Sequence, residues 1–235
     1  FLIEGCLGNI NGLLVNDISE VKYPSPSEEL ANPNVPVYRT DDGLEIKAID
    51  WCIPDKMPVN HAMRHGALTV LVDAGSRVFT HELVRHRKNF SFSQQSQRYV
   101  DERGFNYRLP YGISKEGEAE LVRAIDAARD SYIKIRDYDK KEDARYVLPN
   151  AVEAPIAVTA TWDAWDHFFS LRLSKRAQAE IRRIACGIAY LSSDIFPAAF
   201  ARCGEEAVSI IKEEFGTDVY DRRQSDGLGE SQATA

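Results

Sequence analysis

The sequence predicts an α+β fold in which a mainly antiparallel sheet packs against helices, one of them long and amphipathic. Two observations favour this class. Some segments alternate apolar and polar residues as strands do, and others repeat apolar residues every three or four positions as helices do. With 235 residues, of which 44% are hydrophobic, the chain is long enough for one sizeable core. We therefore expect a single domain over residues 1–220.

Strands are predicted in three places. Residues 44–48 and 156–162 alternate along the chain, and residues 67–75 form an apolar run that ends at a glycine turn. Helices are predicted at residues 57–65, 77–87, 163–173, 178–191 and 205–215. Asp163 is a suitable N-cap for the helix that it begins.

The clearest helix follows Ser114, a residue type that is favoured at the N-cap position. Its apolar residues recur at spacings of four, three, four and three, at Leu121, Ile125, Ala128, Tyr132 and Ile135. Charged residues occupy the opposite face, as in a helix that is half-buried.

Both ends of the chain lack a regular pattern. Residues 23–36 contain four prolines, which predicts irregular surface structure, and residues 221–235 have the composition of a disordered tail. Neither a membrane span nor a secretory leader is expected. The four cysteines form no C-x-x-C pair, which favours reduced thiols and a cytoplasmic protein. Cys186 has apolar neighbours and is expected to be an inert core thiol.

Residues 80–99 concentrate positive charge in a chain whose net charge is −7. Arg85, His86, Arg87, Lys88 and Arg98 stand there among serines and glutamines. Guanidinium forks suit phosphate, so we predict a nucleotide or phosphate site. Since neither glycine-rich phosphate-loop motif occurs, arginine and hydroxyl groups have to hold the anion. A simpler explanation covers part of the cluster, because cations also offset the dipole at the end of a helix.

A metal site is not predicted. His61 and His65 are four residues apart, but the glutamate of H-E-x-x-H and a third ligand are missing. His86 lies between two arginines, whose charge opposes the binding of a cation.

A serine hydrolase is also weakly supported, since Ser91, Ser93 and Ser96 lie near His86 without a G-x-S-x-G motif. Arg145 precedes an apolar segment, and Arg172 follows two phenylalanines and a leucine, so both are expected to be buried. A buried arginine requires an anionic partner. That partner is either a ligand or an internal carboxylate.

Three motifs together resemble the flavin-dependent thymidylate synthases. They are RHRKNFSFSQQSQRY, ARYVLP and FFSLRLSKRAQAEIR, and they occur in the order of that family. The resemblance implies an FAD-dependent methyltransferase with no cysteine nucleophile. It implies that methylenetetrahydrofolate supplies one carbon to C5 of a uracil nucleotide, dUMP or UMP, with NADPH as reductant. It further implies a homotetramer whose active sites lie at subunit interfaces.

The resemblance also implies roles for individual residues. Arg172 would face the uracil edge and Ser96 would position the substrate, and these two are the catalytic residues. The FAD site would comprise Arg85, His86, Arg87, Lys88, Ser93, Gln94, His167 and His61. The nucleotide site would comprise Glu82, Arg85, Gln94, Ser96, Gln97, Arg98, Arg145 and Arg172.

Two departures from the family pattern stand out. Eight residues separate Arg87 from Ser96, whereas the family usually has seven, and we expect the extra residue to bulge the loop between flavin and nucleotide. Thr161 and Asp163 replace the asparagine and arginine of an Asn-x-Arg motif, which removes one cationic flavin contact. A family fold without methylase activity is therefore one alternative.

A second alternative is a nucleotide-binding or RNA-binding module. Phe90, Phe92 and Tyr99 would then serve as stacking platforms beside the basic residues. The net charge of −7 argues against nucleic acid as a partner.

Overall fold

The computed structural model describes residues 35–216. The strands are β1 (Val37–Arg39), β2 (Glu45–Cys52), β3 (Ala67–Asp73), β4 (Phe90–Gln94) and β5 (Ile156–Thr161). The helices are α1 (Val59–His65), α2 (Arg77–Leu83), α3 (Lys115–Tyr138), α4 (Lys141–Ala144), α5 (Trp162–Arg172), α6 (Ala179–Ile195) and α7 (Pro197–Ile210). A 3-10 turn, Arg145–Val147, follows α4, and a π-helical turn, Ile211–Phe215, follows α7.

The five strands form one antiparallel sheet in the order β1-β2-β3-β5-β4. This confirms the predicted α+β class, and β2, β3 and β5 confirm the three predicted strands. β4 lies at an edge of the sheet. The basic segment that was predicted to bind a nucleotide therefore runs along this edge and leaves it after Gln94.

The core lies between the sheet and helices α5, α6 and α7. Helix α5 is fixed to the sheet by two buried indole rings, since Trp162 donates from Nε1 to the Cys52 carbonyl at 2.8 Å and Trp165 donates to the Leu68 carbonyl at 3.1 Å. Both rings are fully buried, so their N–H groups need these acceptors. The last residue of this anchored helix is Arg172.

Helix α6 approaches the sheet most closely at Gly187. A Cβ at this position would lie 2.6 Å from Tyr38 Cδ1 and 2.7 Å from Ile46 Cδ1. Glycine here allows the helix backbone to pack directly on β1 and β2.

The long helix α3 is confirmed, together with its cap. Ser114 Oγ accepts a hydrogen bond from the Gly117 amide at 3.1 Å. Of the predicted apolar stripe, Ile125 and Tyr132 are buried, and the Tyr132 hydroxyl accepts from the Glu102 amide at 3.1 Å. The remaining apolar residues of α3 are only partly covered by this chain.

Several sequence predictions are corrected by the structure. Residues 88–97 were expected to be a loop, but Phe90 and Phe92 point inward while Ser91 and Ser93 are exposed, which is the alternation of a strand. The N-cap of α5 is Thr161 rather than Asp163. The last helix begins at Pro197 rather than near residue 205, because proline is well suited to the first helical position.

Other predictions fall partly or wholly outside residues 35–216, including the irregular segment at 23–36 and the tail at 221–235. Cys186 lies within the described residues. It is fully buried, and burial raises the pKa of its thiol to about 12, as expected of an inert core thiol. Within the described range, no helix combines the length and apolar character that crossing a membrane requires.

The close packing at Gly187 leads to a stability prediction. Gly187→Ala should lower the free energy of unfolding by about 1–3 kcal/mol, because the added methyl group overpacks the contact with Tyr38 and Ile46. The matched control is Gly104→Ala, since a Cβ at Gly104 meets no atom within 4 Å. Chemical denaturation of both variants measures the difference, and equal stabilities would show that α6 does not pack this closely on the sheet.

Candidate functional site

Three half-buried side chains meet where α2 and α5 end, and we call them the Arg172 network. Arg172 Nη1 donates to Glu82 Oε2 at 2.8 Å, and Arg172 Nε donates to His86 Nε2 at 3.0 Å. Glu82 lies in the last turn of α2, and Arg172 is the last residue of α5. A cation is favourable there because helix C-termini carry partial negative charge. Of the two open interpretations of Arg172, the internal ion pair is therefore present.

His86 is held in the neutral form by its surroundings. Its ring packs edge-on against Phe168 at 4.9 Å between ring centroids and lies 5.9 Å from Phe90. The pKa of His86 is lowered to about 4, mainly by burial and also by the charges of Arg172 and His167. Because Nε2 accepts the bond from Arg172, the ring hydrogen of the neutral form is on Nδ1.

Three cations on the following turn have no partner for their side chains within residues 35–216. Arg85, Arg87 and Lys88 are exposed. No hydrogen bond or ion pair neutralises their charge there, although acidic residues outnumber basic ones in the chain, 36 to 29. Uncompensated cations in an acidic protein indicate a surface that binds an anion.

A bulge was expected between Arg87 and Ser96, and residues 90–95 of that segment show none. β4 pairs with β5 in continuous register, from Phe90 opposite Ala160 to Gln94 opposite Ile156, and the Gln95 amide donates to the Pro155 carbonyl at 2.9 Å. The irregular position is Asn89, whose φ of 59° places it in the left-handed region, where asparagine is tolerated. Between Arg87 and Ser96, the irregular backbone therefore lies before the strand.

A second cluster lies beyond the strand, in the turn formed by residues 96–99, which we call the Ser96 turn. Ser96 Oγ accepts from the Arg98 amide at 3.3 Å. Helix α4 is attached to this turn twice: Arg98 Nε donates to Glu142 Oε2 at 3.2 Å, and Lys141 Nζ donates to the Tyr99 carbonyl at 2.8 Å. The RYV segment that follows α4 is thereby held near the Ser96 turn.

Arg145 opens that segment. Its Nε donates to the Glu142 carbonyl at 3.2 Å, and no carboxylate of residues 35–216 lies within 4.0 Å of its guanidinium. In contrast to Arg172, Arg145 therefore keeps its charge available for a ligand.

The predicted site residues fall into these two clusters with some exceptions. Gln94 donates from Nε2 to Thr80 Oγ1 at 3.0 Å, which joins β4 to α2. His167 is exposed on α5 and interacts electrostatically with His86. Gln97 lies in the Ser96 turn, Ser93 lies on β4 and His61 lies on α1, and within the described range none of their side chains forms a hydrogen bond to either cluster.

Sequence reasoning missed Arg77 and Thr80, which lie on α2 before the basic motif. Arg77 Nη2 donates to the Gln95 carbonyl at 3.2 Å. The signal was available, since Arg77 is the only arginine of α2, but of the residues of that helix only Glu82 was given a role in the site. Residues 35–216 contain no group of three side chains that could hold a metal ion.

The Arg172 network leads to a prediction about His86. In the folded protein its pKa of about 4 lies below the ordinary value of 6.5, so the unfolded state binds the proton more readily between these values. The stability that neutral His86 contributes is present above pH 6.5 and is lost as the pH falls from 6.5 towards 4. In Arg172→Gln the pKa of His86 should rise, but it should stay below 6.5 because burial is the larger cause.

An NMR titration of the His86 ring measures this shift directly. Arg176→Gln is the control, since Arg176 is exposed and its side chain lies outside the network. An unchanged His86 pKa in Arg172→Gln would show that the two side chains do not interact in solution.

Comparison with known proteins supports the resemblance found in the motifs. Residues 19–198 match the model of the family described as thymidylate synthase complementing protein. A flavin-dependent thymidylate synthase of Mycobacterium avium is 37% identical over 157 residues, and one of Mycobacteroides abscessus is 38% identical over 156 residues. Both alignments cover 59% of this chain and 62% of the relative. The chain thus spans about three fifths of the length of these relatives.

A solved structure shares the fold. It is a UMP/dUMP methylase, PolB from Streptomyces cacaoi, bound with 5-Br dUMP. The TM-score is 0.51 at 24% identity, covering 63% of this chain and 72% of the other. Because the family model matches well over half of the 235 residues, this chain belongs to the thymidylate synthase complementing protein family, as its resemblance to the flavin-dependent thymidylate synthases implied.

Proposed function

We propose that this protein transfers a one-carbon unit from methylenetetrahydrofolate to C5 of a uracil nucleotide and reduces it to a methyl group. The observation that carries the proposal is the Arg172 network, a guanidinium fixed at a helix end beside a surface of unpaired cations. The names of the relatives agree, since two are flavin-dependent thymidylate synthases and one is a UMP/dUMP methylase.

The residues present fit FAD. Arg85, Arg87 and Lys88 supply positive charge for a diphosphate, and the half-buried, neutral ring of His86 lies on the same turn. Ser93, Gln94, His167 and His61 would complete the site, as the family resemblance implies. When bound, FAD supplies the hydride of the reaction, with NADPH as its reductant. Neither Thr161 nor Asp163 adds a positive charge to this site. The cations that would bind the diphosphate of FAD are therefore those on the turn after α2.

Arg172 would act on the uracil ring. A guanidinium has five N–H donors, and Nε and Nη1 each use one for His86 and Glu82, so the remaining donors can reach a carbonyl of the base. Positive charge held at the ring edge stabilises the negative charge that develops on N3 and on the carbonyl oxygen O4 of uracil, which makes C5 more nucleophilic. Glu82 and His86 keep the guanidinium in place, so it need not reorganise during the reaction.

The Ser96 turn would hold the nucleotide phosphate. Arg98, Arg145, Ser96 and Gln97 provide two guanidiniums, a hydroxyl and an amide. Arg98 is paired with Glu142, but its side chain is 53% exposed, and an exposed ion pair contributes little free energy. Exchanging that carboxylate for a phosphate therefore costs little.

The net reaction balances without a nucleophilic cysteine. The methylene carbon forms a bond to C5 as its bonds to N5 and N10 of the folate break, and NADPH provides the hydride that turns the methylene into a methyl group. The C5 hydrogen leaves as a proton, and this proton and one from solvent end on the two folate nitrogens. Tetrahydrofolate and NADP⁺ are the other products. Cys186 is buried and has a raised pKa, so it is unsuited to attack the ring.

We also propose the homotetramer, with active sites that several subunits complete. The apolar stripe of α3 supports this assembly, since Leu121, Ala128 and Ile135 are only partly buried among residues 35–216 and apolar stripes on helices pack against other surfaces. Cationic segments from different subunits would then share one bound cofactor. The assembly and the two co-substrates rest on the family resemblance together with this surface.

The alternative of an RNA-binding module has less support. Phe90 and Phe92 stack on each other, with 5.8 Å between centroids, and pack against the core. They are therefore not available as platforms for bases, and Tyr99 is left as the exposed aromatic ring of that segment.

Turnover with dUMP and UMP, measured side by side, tests the proposal. The full-length protein loaded with FAD, together with methylenetetrahydrofolate and NADPH, should methylate one or both nucleotides. Arg172→Gln should bind FAD but lose about 10²–10³-fold in turnover, as removal of one preorganised donor typically does.

Arg176→Gln is the matched control and should retain wild-type turnover, because this exposed arginine makes no contact with the site. Protein that binds FAD but methylates neither nucleotide would refute the proposal and favour a family member without methylase activity. Equal rates for Arg172→Gln and the control would assign the activation of uracil to another residue.

A further inference from the structure

We infer that Arg77 is a positioning residue for the nucleotide phosphate and that Glu102 is its opposing charge. This inference rests on the proposed function, since it concerns the Ser96 turn as a phosphate site. Neither residue belongs to a motif of the basic segment. Their position near that segment is visible only in the contacts of the folded chain.

The backbone of Arg77 is fixed from several sides. Its amide donates to the Val152 carbonyl at 3.0 Å. The preceding residue, Ser76, donates from its amide to Glu180 Oε1 at 2.8 Å and from Oγ to Glu180 Oε2 at 2.6 Å. The start of α2 is thus hydrogen-bonded both to Val152, in the segment before β5, and to Glu180 of α6. These bonds fix the backbone from which the Arg77 side chain extends.

The side chain of Arg77 reaches the residue immediately before the Ser96 turn. Arg77 Nη2 donates to the Gln95 carbonyl, and the Gln95 amide is bonded to Pro155. Both backbone groups of Gln95 are therefore paired, one of them through Arg77. Without the guanidinium, the end of the strand that leads into Ser96 would be held on one side only.

The charges around Arg77 leave a positive surplus. Arg77 interacts electrostatically with Glu102 and with Arg145. Glu102 is buried, at 5% exposed, and burial raises its pKa. Two guanidiniums thus share the field of one buried carboxylate, and Arg77 Nε is buried without a hydrogen-bond partner among residues 35–216. Such a surplus is unfavourable by itself and becomes favourable when a phosphate dianion binds.

Two substitutions that change the charge of the site in opposite directions distinguish this electrostatic role from a structural one. Arg77→Gln removes a positive charge and should weaken dUMP binding at least tenfold. Glu102→Gln removes a negative charge, keeps the side-chain shape, and should strengthen dUMP binding about threefold or more. Deoxyuridine has no phosphate, so its affinity should change less than twofold in both variants.

The measurement is titration of FAD-loaded full-length protein with dUMP and with deoxyuridine, with FAD content and thermal stability recorded for each variant. Arg77→Lys should restore dUMP affinity to within about threefold of the wild type, because an ammonium keeps the charge and can donate to the same carbonyl. Arg103→Gln is the control. Arg103 lies next to Glu102 but is exposed and paired with Asp101, so dUMP affinity should be unchanged.

Several outcomes would overturn the inference. A purely structural role predicts that Arg77→Gln and Glu102→Gln both weaken dUMP binding, or that deoxyuridine binding falls by the same factor as dUMP binding. If Arg77→Gln fails to fold, the sign of the change in Glu102→Gln still decides. Wild-type protein that binds no uracil nucleotide would contradict the proposed function, whereas tight wild-type binding with unchanged variants contradicts the role of Arg77 alone.

Discussion

The organisation of this site depends on one ion pair that joins the ends of two helices. Arg172 closes α5 and Glu82 lies in the last turn of α2, and the two are 90 residues apart in sequence. Buried Trp162 and Trp165 fix α5 on the sheet, so the position of the guanidinium is set by the core rather than by a loop. A guanidinium held in this way needs little rearrangement when a substrate binds, so little free energy is spent on positioning it.

The remaining cations are divided by their partners. Arg85, Arg87 and Lys88 have none within residues 35–216, and Arg145 has no carboxylate there, while Arg98 has an exposed and weak one. The network around Arg172 is therefore preformed, and the cations that we propose to bind phosphate have no strong partner among the described residues. This division matches a reaction in which one arginine acts on the base and the others hold phosphate groups.

Local patterns in the sequence predicted much of the fold, including β2, β3, β5 and the Ser114 cap of α3. They did not predict β4, because its alternation of Phe90 and Phe92 with serines is hidden in a segment whose polar composition indicates a loop. The motifs implied roles for Arg172 and Glu82 but did not indicate their contact, and they implied no role for Arg77. Contacts between distant segments depend on the sheet order, which no local pattern contains. Between Arg87 and Ser96, the irregular backbone lies at Asn89, before the strand.

A crystal structure of the full-length protein with FAD and dUMP would test the central claim most directly. The account predicts that the Arg172 guanidinium contacts the edge of the uracil ring while it remains hydrogen-bonded to Glu82 and His86, and that the phosphate lies at the Ser96 turn. A uracil ring bound away from Arg172, or an Arg172 side chain that leaves Glu82 when the nucleotide binds, would contradict it.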